Sequence, residues 1–305
     1  MGLLAAIDIG TNTVRMLVAR RAGGAIRPVE RTRRITALGR ELRASGRIGD
    51  REFRESILAL KEMRRRMDAL GVSRYRACGT AALREARNAA AFLDAAKAAG
   101  VSIEVISAEE EARRTWLGIS GRVRDGRVVV MDIGGGSTEF IAGPGKGQSV
   151  SLAIGVVVAG SLLPISDPPE PWQIRNLRYY FSERILAGTR SFRRKFRRMV
   201  GTAGTFTTLA ALDRRMTAYR PEKIDGHVMT LTRLITWEKR LSRLSAAERL
   251  RLPGMEKGRE RTIVPGVCQA VAAMERFGID QLVVSDAGLL EGILSGIPDG
   301  KGEEG

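Results

Sequence analysis

The sequence predicts a duplicated α/β fold of two related lobes, and three observations predict it. A short phrase occurs twice, 124 residues apart from Asp8 to Asp132: Asp8-Ile-Gly-Thr-Asn-Thr13 and Asp132-Ile-Gly-Gly-Gly-Ser-Thr138. Each copy sits between a β-branched apolar run and a second apolar run, the order of a strand, a tight turn and a return strand. Downstream of each copy a further strand gives way to alternating helical and strand patterns, as a repeated α/β unit requires. The lobes are drawn at 1–120 and 121–305, with the last helix able to pack back on the first lobe and a cleft between the two.

In the first lobe the apolar patterning predicts strands at 3–9, 13–19, 26–31, 74–79 and 102–106. Asp50 is the expected N-cap of a helix whose apolar positions Phe53, Ile57, Leu60, Met63, Met67 and Leu70 recur at intervals of three and four. A second helix covers 88–99 and stops at Gly100, and a third starts after Ser107. In the second lobe, strands are expected at 127–133, 138–142, 149–154, 199–202 and 281–285. Helices are expected at 172–187, 191–198, 206–212, 231–244, 261–277 and 289–294, with a frayed tail from Gly300. In the Arg-rich stretch 190–200, Phe192, Phe196 and Val200 fall at i, i+4 and i+8. That is one buried helix face, with the charge on the other, either a solvated face or a landing strip for a polyphosphate chain.

Composition narrows the chemistry. With 28% charged and 44% hydrophobic residues the chain reads as a soluble globular protein with ample core. Asp8 interrupts the first apolar run too early for a signal peptide, and Ala6 breaks the myristoylation pattern that Gly2 would begin. No apolar run approaches the ~18 residues of a membrane span. Cys78 and Cys268 have no CxxC neighbour and are expected as buried, reduced thiols of a cytoplasmic protein. His227 is the single histidine, so Ser-His-Asp and Cys-His triads and His-rich metal sites are improbable. The net charge of +17, from 51 Lys+Arg against 34 Asp+Glu, favours polyanionic partners or is a plain basic surface. Nucleic acid is not expected, because aromatics total 5% and no helix-turn-helix or aromatic-studded basic strand is present.

The chemistry-bearing motifs point to phosphate. Glycines allow turns that bring bare N–H groups to an anion, so Thr11, Asn12, Gly135, Gly136, Ser137 and Thr138 are candidate phosphate-binding residues. Two such turns facing each other would clamp a phosphate group. A third glycine loop, 201–205, leads into a helix, so Gly204 and Thr205 offer a helix N-terminus to an anion, or Thr205 is simply its N-cap. Asp132 and Glu139 flank the second turn and could share Mg²⁺. In Ser107-Ala-Glu-Glu-Glu111, Ser107 and Glu110 fit a capping box and the helix dipole accommodates all three first-turn acids, but three exceed what capping requires, and Glu111 is the one assigned to orient or deprotonate a water. Arg84, just past the strand at 74–79, is a candidate phosphate clamp or the partner of an acidic neighbour such as Glu85.

With these residues placed, the chain resembles the exopolyphosphatase / guanosine pentaphosphate phosphatase (Ppx/GppA) family. The resemblance runs through Asp8–Arg15, 80–88, 107–113, 132–139, Ser151-Leu-Ala-Ile-Gly155, 201–205, Tyr219-Arg-Pro-Glu-Lys223 and 284–292. It implies the actin/sugar-kinase/Hsp70 (ribonuclease H-like) fold. It further implies that Glu111 prepares the attacking water, that Asp132 and Glu139 hold Mg²⁺, and that Arg84 and the glycine-loop amides hold phosphate. Arg15 and Arg259 match positions that relatives use for guanosine tetra- or pentaphosphate, and a homodimer is implied. This chain stands apart where it reads Val156-Val157-Val158 in place of an arginine-bearing stretch, Ala287 in place of Arg and Asp225 in place of His. It also ends before the helical domain of longer members.

The expected activity is Mg²⁺-dependent release of terminal phosphate from inorganic polyphosphate. The alternatives are hydrolysis of guanosine pentaphosphate, a non-catalytic sensor of guanosine tetra- or pentaphosphate, and an ATP-using kinase of the same fold.

Overall fold

A computed structural model describes residues 2–22, 25–121, 127–142, 149–192 and 195–298. Two compact units divide the chain, Met1–Ile119 with Leu289–Gly305, and Ser120–Gly288. The first unit opens with β1 (Leu3–Ile9), β2 (Thr13–Ala22) and β3 (Ala25–Ile35), then α1 (Leu42–Ser45) and α2 (Asp50–Ala69). It continues with β4 (Val72–Gly79), α3 (Ala81–Glu85), α4 (Ala89–Ala98), β5 (Ile103–Val105) and α5 (Ala108–Ser120), whose last residue opens the second unit. That unit holds β6 (Val128–Ile133), β7 (Thr138–Ala142), β8 (Ser149–Leu152), α6 (Val156–Leu162), α7 (Pro171–Gly188), β9 (Arg198–Thr202) and α8 (Ala203–Asp213). After these come α9 (Pro221–Ile224), β10 (Val228–Thr230), α10 (Leu231–Ser242), α11 (Ala246–Leu250), α12 (Ile263–Phe277) and β11 (Gln281–Val284). The last helix, α13 (Leu289–Ser295), returns to the first unit.

The duplication is explicit in the sheets. The first is ordered β3-β2-β1-β4-β5 and the second β8-β7-β6-β9-β11, with β10 added at its edge. In both, an antiparallel three-stranded meander is extended by parallel strands, the order of a ribonuclease H-like lobe of an actin-like protein. Parallel strands need crossover helices, and these cover the sheet faces that the apolar runs require to be buried. One face of the first sheet packs Ile7, Val14, Met16 and Val18 against Leu60, Met63 and Met67 of α2. Its other face packs Leu4, Ala6, Leu17 and Cys78 against Leu289, Leu290 and Ile293 of α13. In the second unit, α12 is buried from Ile263 to Met274 within the core of that sheet.

Several local expectations are corrected. Asp50 is the first helical residue of α2, and Gly49 stands at the N-cap, so Asp50 serves the helix as first-turn negative charge. No helix forms over the described part of 191–198, and residues 193–194 lie outside the described residues. Phe192 and Phe196 are buried as expected, but as rings packed edge-on to each other, 6.1 Å apart, and against Phe277 of α12. β9 then starts at Arg198, so an i, i+4 spacing here reports a shared aromatic cluster and no helical turn. The strand expected to reach Ile154 ends at Leu152. The tail from Gly300 lies outside the described residues. Among the described residues, no helix is long and apolar enough to cross a membrane. Cys78 and Cys268 are free thiols and buried. Burial pushes the Cys78 thiol up to about 12.

Candidate active site

The β1–β2 turn is built so that its carbonyls are consumed and its amides are left over. Gly10 N donates to Thr13 O at 2.9 Å, closing the turn. The stretch after β3 wraps it from outside: Gly39 N donates to Thr11 O at 2.8 Å, and Thr36 N and Ala37 N both donate to Asn12 O. With the oxygens engaged, the amides of Thr11 and Asn12 remain as donors, the arrangement that binds anions. Beside them, Asp8 Oδ1 and Asn12 Nδ2 are buried atoms with no hydrogen-bond partner among the described residues. Buried polar atoms are normally satisfied, so such a pair marks a place for a water or an ion.

The second unit repeats this construction. Gly134 N donates to Ser137 O at 3.0 Å. The amides of residues 155–158 take up the carbonyls: Gly155 N to Gly136 O, Val156 N to Gly134 O, and Val157 N and Val158 N to Gly135 O, at 2.9–3.2 Å. These bonds use the carbonyls of residues 134–137 and none of the amides of Gly135, Gly136 and Ser137. The approach is so close that a Cβ on Gly155 would lie 2.5 Å from the Gly135 carbonyl carbon and 2.6 Å from that of Gly136, which only glycine tolerates. Gln269, wholly buried on α12, fixes the surround by donating to Thr138 Oγ1 at 3.0 Å and to Ile154 O at 3.2 Å.

Register aligns side chains in a row beside each turn. Across the second sheet, Thr202, Asp132, Glu139 and Ser151 are successive cross-strand partners, so their side chains share one face. Ser151 Oγ donates to Glu139 Oε1 at 2.7 Å, and both Asp132 and Glu139 are buried. These two hard carboxylates would suit Mg²⁺, which is commonly held through one or two carboxylates together with waters and substrate phosphate. Among the described residues no group of three or more His, Cys, Asp or Glu is placed to hold a metal ion. The equivalent row in the first sheet is Cys78, Asp8, Arg15 and Arg33. Arg15 does not stand alone there: its Nε and an Nη both donate to Asp8 Oδ2, at 2.9 and 2.6 Å.

Glu111 and Arg84 meet at the carboxyl ends of the parallel strands of the first unit, where open α/β sheets gather ligands. Thr80 N donates to Ile9 O at 3.2 Å and Ile106 N to Gly79 O at 3.0 Å, tying the ends of β1, β4 and β5 together. Arg84 leaves α3 to donate to Ile106 O at 2.9 Å and to Glu111 Oε2 at 2.8 Å. The partner weighed from sequence was a neighbour such as Glu85; the one found is Glu111, 27 residues on. The Glu111 side chain is 12% exposed and that of Arg84 22%, so their attraction is little screened.

The capping box expected at α5 is only half made. Ser107 Oγ accepts from Glu110 N, but the Glu110 carboxylate turns to Arg113 and Arg114. Arg113 foremost, with Arg114, holds the Glu110 carboxyl down at about 2. Arg114 is buried and also donates to Cys78 Sγ, which ties α5 to β4 about one helical turn beyond Glu111.

The third glycine loop also differs in detail. α8 begins at Ala203, in the left-handed region at φ 68°, so Gly204 and Thr205 lie in its first turn and Thr205 is not a cap. Thr202 stands at the N-cap but sends its hydroxyl to Ala287 O at 2.8 Å, so its side chain caps no amide. The Arg259 guanidinium lies against Gly204, where any side chain would collide with it. Helix dipole, first-turn amides and an arginine therefore converge at one place in the second unit. The wrapping stretch 36–39 and Gln269 were not singled out from sequence, and residues 155–158 stood out there only for their likeness to and departure from relatives, not as a wrap around the second turn.

The chain matches the family model described as the Ppx/GppA phosphatase family over residues 17–299. It is 34% identical over 308 aligned positions to exopolyphosphatase 2 of Mycobacterium tuberculosis, covering 95% of this chain and 97% of the relative. Among solved structures, a Ppx/GppA family member from Aquifex aeolicus shares 33% identity over 96% of both chains, with a TM-score of 0.82. An exopolyphosphatase from Cytophaga hutchinsonii shares 25% identity over 98% of this chain and 100% of its own, with a TM-score of 0.89. Fold, turns and similarity agree: this chain belongs to the Ppx/GppA phosphatase family.

Proposed function

We propose that this protein hydrolyses the terminal phosphoanhydride of inorganic polyphosphate and releases orthophosphate. The observation that carries the proposal is Glu111, held by Arg84 on the same strand-end edge as the anion-binding turn at residues 10–13. The exopolyphosphatase names of the relatives in M. tuberculosis and C. hutchinsonii support the substrate class.

Phosphoryl transfer asks an enzyme for positioning and charge stabilisation more than for covalent chemistry. The proposed donors to phosphate oxygens are the amides of Thr11 and Asn12 in the first unit and of Gly135, Gly136, Ser137, Gly204 and Thr205 in the second. Glu111 accepts a hydrogen bond from the attacking water and aligns it, while Arg84 fixes the carboxylate and faces the developing negative charge. Asp132 and Glu139 would hold Mg²⁺, which supplies charge neutralisation at the phosphate oxygens.

A second substrate, the 5′-γ-phosphate of guanosine pentaphosphate, is favoured by Arg259 at the start of α8 and by Arg15. A cytoplasmic homodimer goes with either substrate as the family resemblance implies. Initial rates of phosphate release from long-chain polyphosphate and from guanosine pentaphosphate, on pure protein with and without Mg²⁺, decide the order. Faster, Mg²⁺-dependent release from polyphosphate is expected. Release from the nucleotide alone, or from neither, overturns the proposal.

A further inference from the structure

The basic stretch 190–198 lies outside the candidate site, yet it is held as firmly as a regular element. Phe192 and Phe196 turn inward onto Phe277 of α12, their ring centroids 6.3 and 5.5 Å from it. Arg197 N donates to Arg127 O at 2.8 Å, which ties the stretch to the residue before β6. Between these anchors the charges point away from the core: Arg190, Lys195, Arg197 and Arg198 are all exposed.

Those charges have no counter-charge beside them. Between Glu183 and Asp213 the sequence contains no acid. Among the described residues, none of the four takes part in an ion pair. Register brings Asp280, two residues ahead of the Leu282 that partners Met199, to the same edge, but it too forms no ion pair there among the described residues. On α2, by contrast, Arg51, Arg64 and Arg66 each have an acidic partner. A cluster of one sign raises the local concentration of a polyanion.

The position of the cluster says what it can touch. Arg198 pairs with Val128 at the start of β6, whereas the glycine turn at residues 134–137 follows the end of that strand. Six residues of β6 at about 3.3 Å each put about 20 Å between them. Cluster and turn therefore belong to one unit, at opposite ends of one sheet. The basic side chains do not reach a phosphate bound at the turn, but they reach a distant part of a long chain whose end is bound there. The aromatics decide which polyanion fits. Nucleic-acid strands are held by basic grooves with exposed rings on which bases stack. Here both rings of the stretch are buried and charge alone faces out, which suits a chain of phosphates without bases.

We propose that Arg190, Lys195, Arg197 and Arg198 form an exosite that holds the distant part of a long polyphosphate chain. This rests on polyphosphate being the substrate. The exosite acts by charge, so it strengthens binding of long chains and leaves the chemical step at the chain end untouched.

The test measures phosphate release from long-chain polyphosphate and from tripolyphosphate, which is too short to span the sheet. One variant combines Arg190→Gln, Lys195→Gln, Arg197→Gln and Arg198→Gln; a second combines Arg190→Lys, Arg197→Lys and Arg198→Lys and so keeps the charge. In the glutamine variant KM for the long chain rises about tenfold or more, and the slope of log KM against log salt becomes shallower by about three. Its kcat and its KM for tripolyphosphate stay within about twofold of the unaltered protein. The lysine variant keeps the long-chain KM. An unchanged long-chain KM in the glutamine variant, an equal loss on both substrates, or a lysine variant as impaired as the glutamine one overturns the exosite. Single-stranded RNA that competes as well as polyphosphate at equal phosphate concentration would assign the surface to nucleic acid and overturns it too. If the unaltered protein releases phosphate from neither chain, the substrate assignment itself fails and the exosite falls with it.

Discussion

Replacing Glu111 with glutamine separates a catalytic carboxylate from a structural ion pair. The substitution is nearly isosteric, and the amide oxygen still accepts from Arg84, whose other hydrogen bond runs to Ile106 O. Loss of the charge from a largely buried pair therefore costs the fold about 1 kcal/mol, below the 1.5–3 kcal/mol of a full charged hydrogen bond. The chemistry loses far more. A positioned acid–base group contributes typically about 10²–10⁴-fold, or roughly 3–5.5 kcal/mol of barrier. Glu111→Gln should thus lower kcat for phosphate release by two to four orders of magnitude, leave polyphosphate binding within about threefold, and shift the urea midpoint only slightly. The assays are phosphate release under saturating polyphosphate, binding by filter retention, and urea denaturation. Turnover near that of the unaltered protein refutes the role of Glu111. A large loss of stability with proportionate loss of rate would make the pair structural.

Three further outcomes follow from named contacts. Gly155→Ala places a methyl within 2.6 Å of the backbone at residues 135–136, so it should cost about 1–3 kcal/mol of stability and most phosphate affinity. Unchanged affinity would mean that the second turn is not a binding element. Asp132→Asn should raise the Mg²⁺ concentration for half-maximal rate at least tenfold, and an unaltered Mg²⁺ titration would take Asp132 out of the metal site. The third concerns acid stability. The folded carboxyl of Glu110 sits at about 2, below its ordinary 4.5, so its contribution is complete above about pH 5 and is lost as pH falls toward 2. Glu110→Gln should flatten the decline of stability between those values, measured by denaturation at pH 7, 4 and 3. Parallel slopes would show that the pairing with Arg113 and Arg114 contributes nothing.

The parts of the fold legible in the sequence are those where local pattern and tertiary burial agree. The hairpins at 3–22 and 128–142 announce themselves because the apolar runs, the acid and the glycines all lie within one short stretch. The length of α2 was legible for the same reason, since its apolar stripe faces a single core. Where burial comes from a distant partner, local pattern misleads. Phe192 and Phe196 carry helical spacing, yet the partner that buries them is Phe277, from α12, and the chain stays irregular until β9.

The candidate site divides in the same way. Residues that must be a particular type, such as Glu111, Asp132 and the glycines, are visible one by one. Residues that act through backbone amides are not: Val156, Val157 and Val158 read as an apolar run, but their N–H groups take up the carbonyls of Gly134 and Gly135 in the second loop. The partner of Arg84 was equally hidden, because 27 residues and a whole strand and helix intervene. Register rows are a third kind of information, since Arg33 meets Arg15 only through the pairing of β2 with β3.

Whether phosphate is gripped by the backbone amides of the two turns can be read residue by residue. Polyphosphate is titrated into the Glu111→Gln protein in the presence of Mg²⁺, and the amide ¹H–¹⁵N resonances are followed. Saturable shifts concentrated at Thr11, Asn12, Gly135, Gly136 and Ser137 are expected, as amides that donate to phosphate oxygens move most. Saturable binding that leaves those five resonances in place, and moves others instead, would contradict the assignment of these turns as the phosphate-binding elements.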